Sequence, residues 1–409
     1  MELKFPKNFL WGAATSAHQV EGNNHNDWSE WEKENAQRLS KASGGKYPPE
    51  NYISGRPCDH YNRFREDFDI AKRLGYNGHR FSIEWSRIEP EEGKFDIEEI
   101  EHYREVIKAL RERGLEPFAT LWHSTNPIWI RDIGGWENSK TADYFARYVE
   151  KIIKSYPDVK YWLTFNEPTV YAGLGYIQGT QPPWVKSMRR GNTVFKNFVK
   201  AHRLAYQTIH KNNKNASVGF AHHLVYMVPK NNLPWNRLAV RILEYIRNWR
   251  FLNAVKKNCD FIGIQFYQSQ SIDISLKHGK WGPISALPIS WKPIDDLGWA
   301  INPEGIYHLL KKTSKYGKPI FITESGIADA KDTNRPRFIE ETLNWVSKAI
   351  KERIDVRGYF HWAFMDNFEI PELRGFWPRF GLIAIDYKTL ERKIRPSAYK
   401  FKEIIESQK

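Results

Sequence analysis

Cysteine is nearly absent from this chain, with two thiols, Cys58 and Cys259, among 409 residues. That excludes a disulfide framework and fits a reducing compartment. No run approaches the ~18 consecutive apolar residues needed to cross a bilayer. The opening Met1-Glu-Leu-Lys-Phe-Pro lacks the apolar stretch of a secretory signal. A soluble, cytoplasmic protein is therefore expected. A glycine-rich phosphate loop is missing as well: Trp11-Gly-Ala-Ala-Thr-Ser, at the first strand-like run, holds one Gly, which disfavours a nucleotide-binding fold. Acidic residues are outnumbered, 48 Asp and Glu against 62 Lys and Arg, leaving a net charge of +14. The basic residues are interleaved with Glu along helical stretches, the pattern of a solvated face, so no specific nucleic-acid partner is expected. Basic clusters at 186–190 and 392–400 are where an anionic membrane surface would attract the chain peripherally. A homo-oligomer is compatible with the composition. Abundant Lys and Glu with few Gln point to a thermophile, while plentiful Asn points the other way.

Aromatic residues are plentiful, at 15% of the chain with 17 Trp. They serve either as core or as flat rings that cover the apolar faces of sugars. Eight apolar, strand-like runs recur at 10–15, 78–83, 117–122, 161–165, 217–222, 261–266, 319–323 and 357–362, each followed by a segment of helical periodicity. Asp96 with Glu99 predicts a capping box, and Asn302-Pro303 an N-cap followed by a first-turn Pro. Eight alternating strand and helix units imply a closed (β/α)₈ TIM barrel, an α/β fold, rather than an open doubly wound sheet. No linker or low-complexity stretch interrupts it, so residues 1–409 read as a single domain. Segments 23–59, 180–192, 269–296 and 369–379 lack clear periodicity. In a barrel they gather as loops at the C-terminal face and shape one pocket.

The strand ends hold the chemistry-bearing residues. Thr-Phe-Asn-Glu-Pro (164–168) and Thr-Glu-Ser-Gly (323–326) each close an apolar run with one carboxylate, Glu167 and Glu324, before a strand breaker. Two carboxylates so placed are what hydrolysis of a glycosidic bond requires. Gln19, Arg80, His123, Asn166, Tyr267, Trp362 and Glu369 stand at the other strand ends. Taken singly each has a bland reading: a salt-bridge carboxylate, a satisfied core histidine, a packing tyrosine, a structural arginine. A barrel gives them a shared axis.

The chain resembles glycoside hydrolase family 1, the retaining β-glycosidases, along nearly its whole length. The similarity rests on Phe9-Leu-Trp-Gly-Ala-Ala-Thr-Ser-Ala-His-Gln-Val-Glu-Gly, Arg80-Phe-Ser-Ile-Glu-Trp-Ser-Arg, Thr164-Phe-Asn-Glu-Pro, Asp260-Phe-Ile-Gly-Ile-Gln-Phe-Tyr, Ile322-Thr-Glu-Ser-Gly, Asp366-Asn-Phe-Glu and Arg395-Pro-Ser-Ala, in that order. The resemblance implies Glu167 as general acid/base, Glu324 as nucleophile, and Arg80 and Tyr267 as the nucleophile's partners. It implies Asn166 at the sugar 2-hydroxyl, Gln19, His123 and Glu369 on the glycon, and Trp362 as a stacking platform. It implies no cofactor and no metal. The expected substrates are small β-glycosides or short oligosaccharides: β-glucosides, and β-galactosides with them. For retention the two carboxyls should lie ~5–5.5 Å apart, with Glu324 ionised and Glu167 protonated.

Departures from the family pattern fall on the sugar side. Ser124 stands where a Trp usually follows the strand-three histidine, Gln265 replaces the Asn of the strand-six motif, Ser325 the Asn after the nucleophile, and Ile370 the Trp after Glu369. The segment from Glu369 to Gly375 is about two residues longer than is usual, and Trp377 is expected to reach back from it towards the substrate. Family members that take 6-phosphoglycosides replace the residue at Glu369 and add a Ser and a Lys nearby. Here Glu369 is retained and Pro378 precedes Arg379, so a neutral glycon is expected. Thioglucosidases lack the acid/base residue, whereas Glu167 is present. Loop aromatics Trp184, Trp281, Trp291 and Trp377 predict an apolar mouth that favours alkyl or aryl aglycones. A non-catalytic sugar- or membrane-binding barrel would be expected to have lost one of the two glutamates.

Overall fold

Each of the eight apolar runs forms a strand, because a parallel strand covered on both faces needs apolar side chains on both. The computed structural model describes residues 3–279, 282–289, 292–370 and 374–408. Its main sheet contains β1 (Leu10–Ala14), β2 (Gly78–Ser82), β3 (Glu116–Thr120), β4 (Tyr161–Asn166), β5 (Ser217–Pro229), β6 (Ile262–Gly279), β7 (Gly282–Pro288), β8 (Ile320–Ser325) and β9 (Val356–His361). Parallel pairing runs β1-β2-β3-β4-β5-β6-β8-β9 and returns from β9 to β1, closing a ring of eight. With helices between successive strands this is the expected (β/α)₈ barrel.

Alternate strand residues divide between two cores. Phe118 on β3 lies 5.1–5.4 Å, ring centre to ring centre, from Phe261, Phe321 and Phe360 of strands that are not its neighbours. Contacts across the ring place these residues inside it, where with Leu163 and Ala221 they plug the barrel below the site. The residues between them, among them Ala119, Trp162, Ile262, Ile320 and Tyr359, face the helices and join one extensive outer core. Gly326 marks a close approach. A Cβ there would lie 1.9 Å from the carbonyl oxygen of Trp362, so only Gly lets the chain leaving β8 pass the end of β9.

The loops carry more regular structure than their sequences suggest. Segment 23–59 contains the helix Asp27–Ala42, opened by Asn26 and Ser29 in a reciprocal capping box, and the 3₁₀ turn Pro49–Tyr52. In 269–296 strand β6 runs on to Gly279, pairs with the extended β5, and turns back into antiparallel β7. The alternation Ser271-Ile-Asp-Ile-Ser-Leu is its sequence signal. Two predicted caps need correction. The Asp96 side chain accepts from the N–H groups of Glu98 and Glu99, but Glu99 does not answer. Its carboxylate takes Arg87 and Tyr61 instead, both at 3.1 Å. The helix Glu304–Thr313 starts after Pro303, and the Asn302 side chain donates to Ser269 rather than capping it.

Candidate active site

Midway along β2 lies Arg80, fully buried, with four donations to fixed acceptors. Nε reaches the Thr120 hydroxyl at 3.2 Å, Nη1 the Thr323 carbonyl at 3.2 Å and Glu324 Oε1, and Nη2 Asn166 Oδ1 at 2.7 Å. From β2 the guanidinium thus ties the ends of β3, β4 and β8 together, with a bidentate-capable fork at the centre. Glu324, 4% exposed, receives a second donor on its other oxygen, the Tyr267 hydroxyl at 2.5 Å. Burial pushes the Glu324 carboxyl up, and Arg80 and Tyr267 oppose that rise. Burial also raises the Tyr267 hydroxyl, with the charge of Glu324 adding to it, so Tyr267 remains a donor.

Glu167 is held differently. It sits just past β4 in the left-handed region at φ 45°, unusual for a residue with a side chain. Its N–H donates to the Ala221 carbonyl of β5 at 2.9 Å, and its own carbonyl accepts from Val170 and Tyr171, opening the helical turn Pro168–Tyr171. Backbone strain of this kind is concentrated at functional sites. Among the described residues no side chain hydrogen-bonds the Glu167 carboxyl. Burial and then the charge of Glu324 hold it well above the ordinary carboxylate range, and Arg80 opposes them more weakly.

A second group of predicted residues lies beside the first. The Trp362 indole donates to Glu369 Oε1 at 3.3 Å, and the His123 ring lies 6.1 Å from the Trp362 ring at 22°. Burial pushes the Glu369 carboxyl up to about 8, Trp362 opposing and Glu324 adding to the rise. Burial, then the charge of Arg80, keeps His123 neutral, and its Nδ1 is buried without a partner among the described residues. Gln19 accepts from Ser16 at 2.7 Å and donates to the Phe368 carbonyl, next to Glu369, at 2.6 Å.

Trp377 stands apart from these contacts. It stacks on Tyr47 with ring centres 5.5 Å apart and planes within 7°. Trp184 packs edge-on against Trp31 at 5.2 Å, under the Arg38 guanidinium. Trp281 and Trp291 lie outside the described residues. The departures at Ser124 and Ile370 meet on one residue that sequence reasoning missed. The Trp28 indole donates to the Ser124 carbonyl at 3.1 Å, and its ring packs with Ile370 and Phe368. Its only signal was a place in a segment read as loop. The basic clusters also differ from one another. Arg392 and Arg395 are engaged internally by Asp67 and Asp366, and Lys400 lies 3.3 Å from Glu340; in the other cluster Lys186 and Arg189 are exposed, and Arg190, also exposed, pairs with Glu137.

Two carboxyls, one with a buried cation and one without, both near a ring of polar and aromatic groups, can perform paired nucleophilic and acid/base work on one small molecule. The model for glycosyl hydrolase family 1 matches residues 1–257 and 251–409, which together span the chain. A β-glucosidase A from Acetivibrio thermocellus is 33% identical over 99% of each chain. Among solved structures, a β-glycosidase from Pyrococcus horikoshii superposes with a TM-score of 0.90 at 38% identity, covering 100% of this chain and 96% of that one. A β-glucosidase from Thermotoga maritima, in complex with glucoimidazole, superposes with a TM-score of 0.89 at 28% identity over 99% of both chains.

Proposed function

The chain belongs to glycosyl hydrolase family 1, and from that membership we propose how its residues share the work. The protein is a β-glycosidase that hydrolyses β-O-glycosidic bonds of β-glucosides and β-galactosides. Glu324 is the nucleophile and Glu167 the acid/base, within one catalytic domain spanning the chain. The observation that carries this division is the asymmetry between the two carboxyls. Arg80 and Tyr267 bond both oxygens of Glu324, so the negative charge of the pair rests there and the shared proton rests on Glu167.

The steps follow from that placement. Glu324 attacks the anomeric carbon as the Glu167 proton passes to the departing glycosidic oxygen, giving a covalent glycosyl-enzyme. Glu167, now ionised, takes a proton from water, which attacks the same carbon and releases Glu324. Asn166 donates to the sugar 2-hydroxyl, while His123, Gln19 and Glu369 hold the outer hydroxyls and Trp362 lies along the ring. The orphaned His123 Nδ1 supports this, since a buried imidazole nitrogen lacks its partner until a ligand arrives. Trp377 contributes from the rim. A neutral glycon suits Glu369: burial already pushes its carboxyl up to about 8, and a phosphoryl dianion beside it would oppose its ionisation further. Trp184 together with the half-exposed Leu287 and Ile294 in the β6-to-β8 connection gives the aglycone side an apolar character. A panel of aryl and alkyl glycosides tests this reading. β-Glucosides and β-galactosides are expected to turn over, α-glycosides not, and kcat/KM to rise with alkyl chain length. A flat alkyl series would remove the aglycone preference, and preference for a 6-phosphoglycoside would remove the neutral glycon.

One surface favours peripheral attachment to an anionic membrane. The helix Pro234–Glu244 and the turn after it expose Trp235, Leu238, Ile242, Tyr245 and Ile246, spaced three to four residues apart on one face, with Leu233 just before. Arg237 and Arg241 are exposed on the same helix. An apolar row beside arginines is the composition of a helix that lies in the headgroup plane. The enzyme is expected to sediment with anionic vesicles at low salt and to be released by Trp235→Ser/Leu238→Ser or by high salt. Equal recovery in the supernatant with and without vesicles would contradict attachment.

A further inference from the structure

Gln265 is fully buried on β6, in register with Glu324 on β8. Its Nε2 donates to Asn166 Oδ1 at 2.8 Å, and the same oxygen accepts from Arg80 Nη2 at 2.7 Å. An amide oxygen has two lone pairs, and both are now taken. Turning the Asn166 amide over would set its NH₂ against two donors, so the orientation is fixed. Asn166 Nδ2 donates to no protein group among the described residues and is left for substrate. Gln265 Oε1, by contrast, is buried without a partner among the described residues. An unpaired buried oxygen is costly, so what this side chain contributes is its N–H end. An N–H of Gln265 also helps to hold the Glu324 carboxyl down, behind Arg80 and Tyr267, so a loss through Glu324 has to be told apart from a loss through Asn166.

We propose that Gln265 is a positioning residue that fixes the Asn166 amide with its N–H groups towards the sugar 2-hydroxyl. The inference rests on the proposed role of Asn166. It assigns a function to a departure from the family pattern: the longer amide reaches from β6 across to the end of β4, past the intervening strand β5. Because the 2-hydroxyl contact strengthens as positive charge develops at the anomeric centre, losing the orientation lowers the rate more than substrate binding.

The test compares kcat/KM for an aryl β-glucoside with that for the matching 2-deoxy-β-glucoside, in wild type, Asn166→Ala, Gln265→Met and the double variant. Gln265→Met keeps the length and removes the N–H, and Gln265→Asn, which keeps the amide but withdraws it by one methylene, serves if the first does not fold. Either is expected to lower the glucoside value about tenfold, what one substrate hydrogen bond is worth. The 2-deoxy value should stay within about twofold, and Gln265→Met should add nothing in the Asn166→Ala background. An effect routed through Glu324 or through folding would lower both substrates together. If Asn166→Ala lowers the ratio and neither Gln265 variant does, the positioning role is wrong. If Asn166→Ala itself leaves the ratio unchanged, the proposed role of Asn166 falls first and Gln265 with it.

Discussion

Glu324→Gly is expected to lower hydrolysis of an aryl β-glucoside by roughly 10⁴–10⁶-fold, the scale of loss when a covalent nucleophile is removed. The geometry gives two reasons. The variant removes the carboxylate that Arg80 and Tyr267 both bond, and it leaves the buried guanidinium without the anion it faces. It also opens a small space at the anomeric face. Azide, a compact anion, suits both consequences. With an activated aryl glycoside, turnover should return in proportion to azide, giving the α-glycosyl azide, because azide enters from the face that Glu324 occupied. Full activity of the variant, or rescue that gives the β-azide, would contradict the assignment.

Glu167→Ala is expected to behave differently, and the difference is diagnostic. Removing a general acid costs about 10²–10⁴-fold where the leaving group needs a proton. Alkyl glycosides should lose that much in kcat/KM. A dinitrophenyl glycoside, whose leaving group departs as an anion, should lose little in kcat/KM but much in kcat, since water attack on the glycosyl-enzyme now lacks its base. Azide should rescue kcat and yield the β-glycosyl azide. The pH profile follows the two carboxyls. Activity requires Glu324 ionised, so it falls as pH drops through the Glu324 value. It requires Glu167 protonated, so it falls as pH rises through the Glu167 value, which burial and the charge of Glu324 hold well above the ordinary range. In Glu167→Ala the alkaline limb for the activated substrate should vanish while the acid limb persists. Survival of the alkaline limb would assign it to another group, with Glu369, raised to about 8, the first to examine.

The barrel was legible because its strands are buried on both faces and read as unbroken apolar runs. The strand positions fell within a residue or two, except where β5 and β6 run on beyond the ring. The sequence of that extension alternates at Ser271-Ile-Asp-Ile-Ser-Leu, a pattern obscured by its polar residues. The helix Asp27–Ala42 was missed for a similar reason. It buries little beyond Trp28, Ser29, Glu32 and Ala36, so its apolar stripe is thin, and the Asn26–Ser29 cap was the available sign. The strand-end side chains could be named from motifs. Apart from Arg80 and Tyr267 beside Glu324, which the resemblance implied, their contacts could not, because Arg80, Asn166 and Gln265 come from strands that meet only across the ring. Nor could Trp28, which joins the departures at Ser124 and Ile370 from a distant segment.

The central claim is that Glu324 forms a covalent bond to the sugar. A 2-deoxy-2-fluoro-β-glucoside with a dinitrophenyl leaving group slows both steps by destabilising positive charge at the anomeric centre, while the good leaving group keeps the first step the faster. The glycosyl-enzyme should accumulate. Mass spectrometry of the digested protein is then predicted to find one fluoroglucosyl group per chain, on the peptide holding Thr323-Glu324-Ser325 and attached at Glu324. A label on Glu167 or elsewhere, or rapid turnover with no adduct and initial release of the α-anomer, would contradict the account.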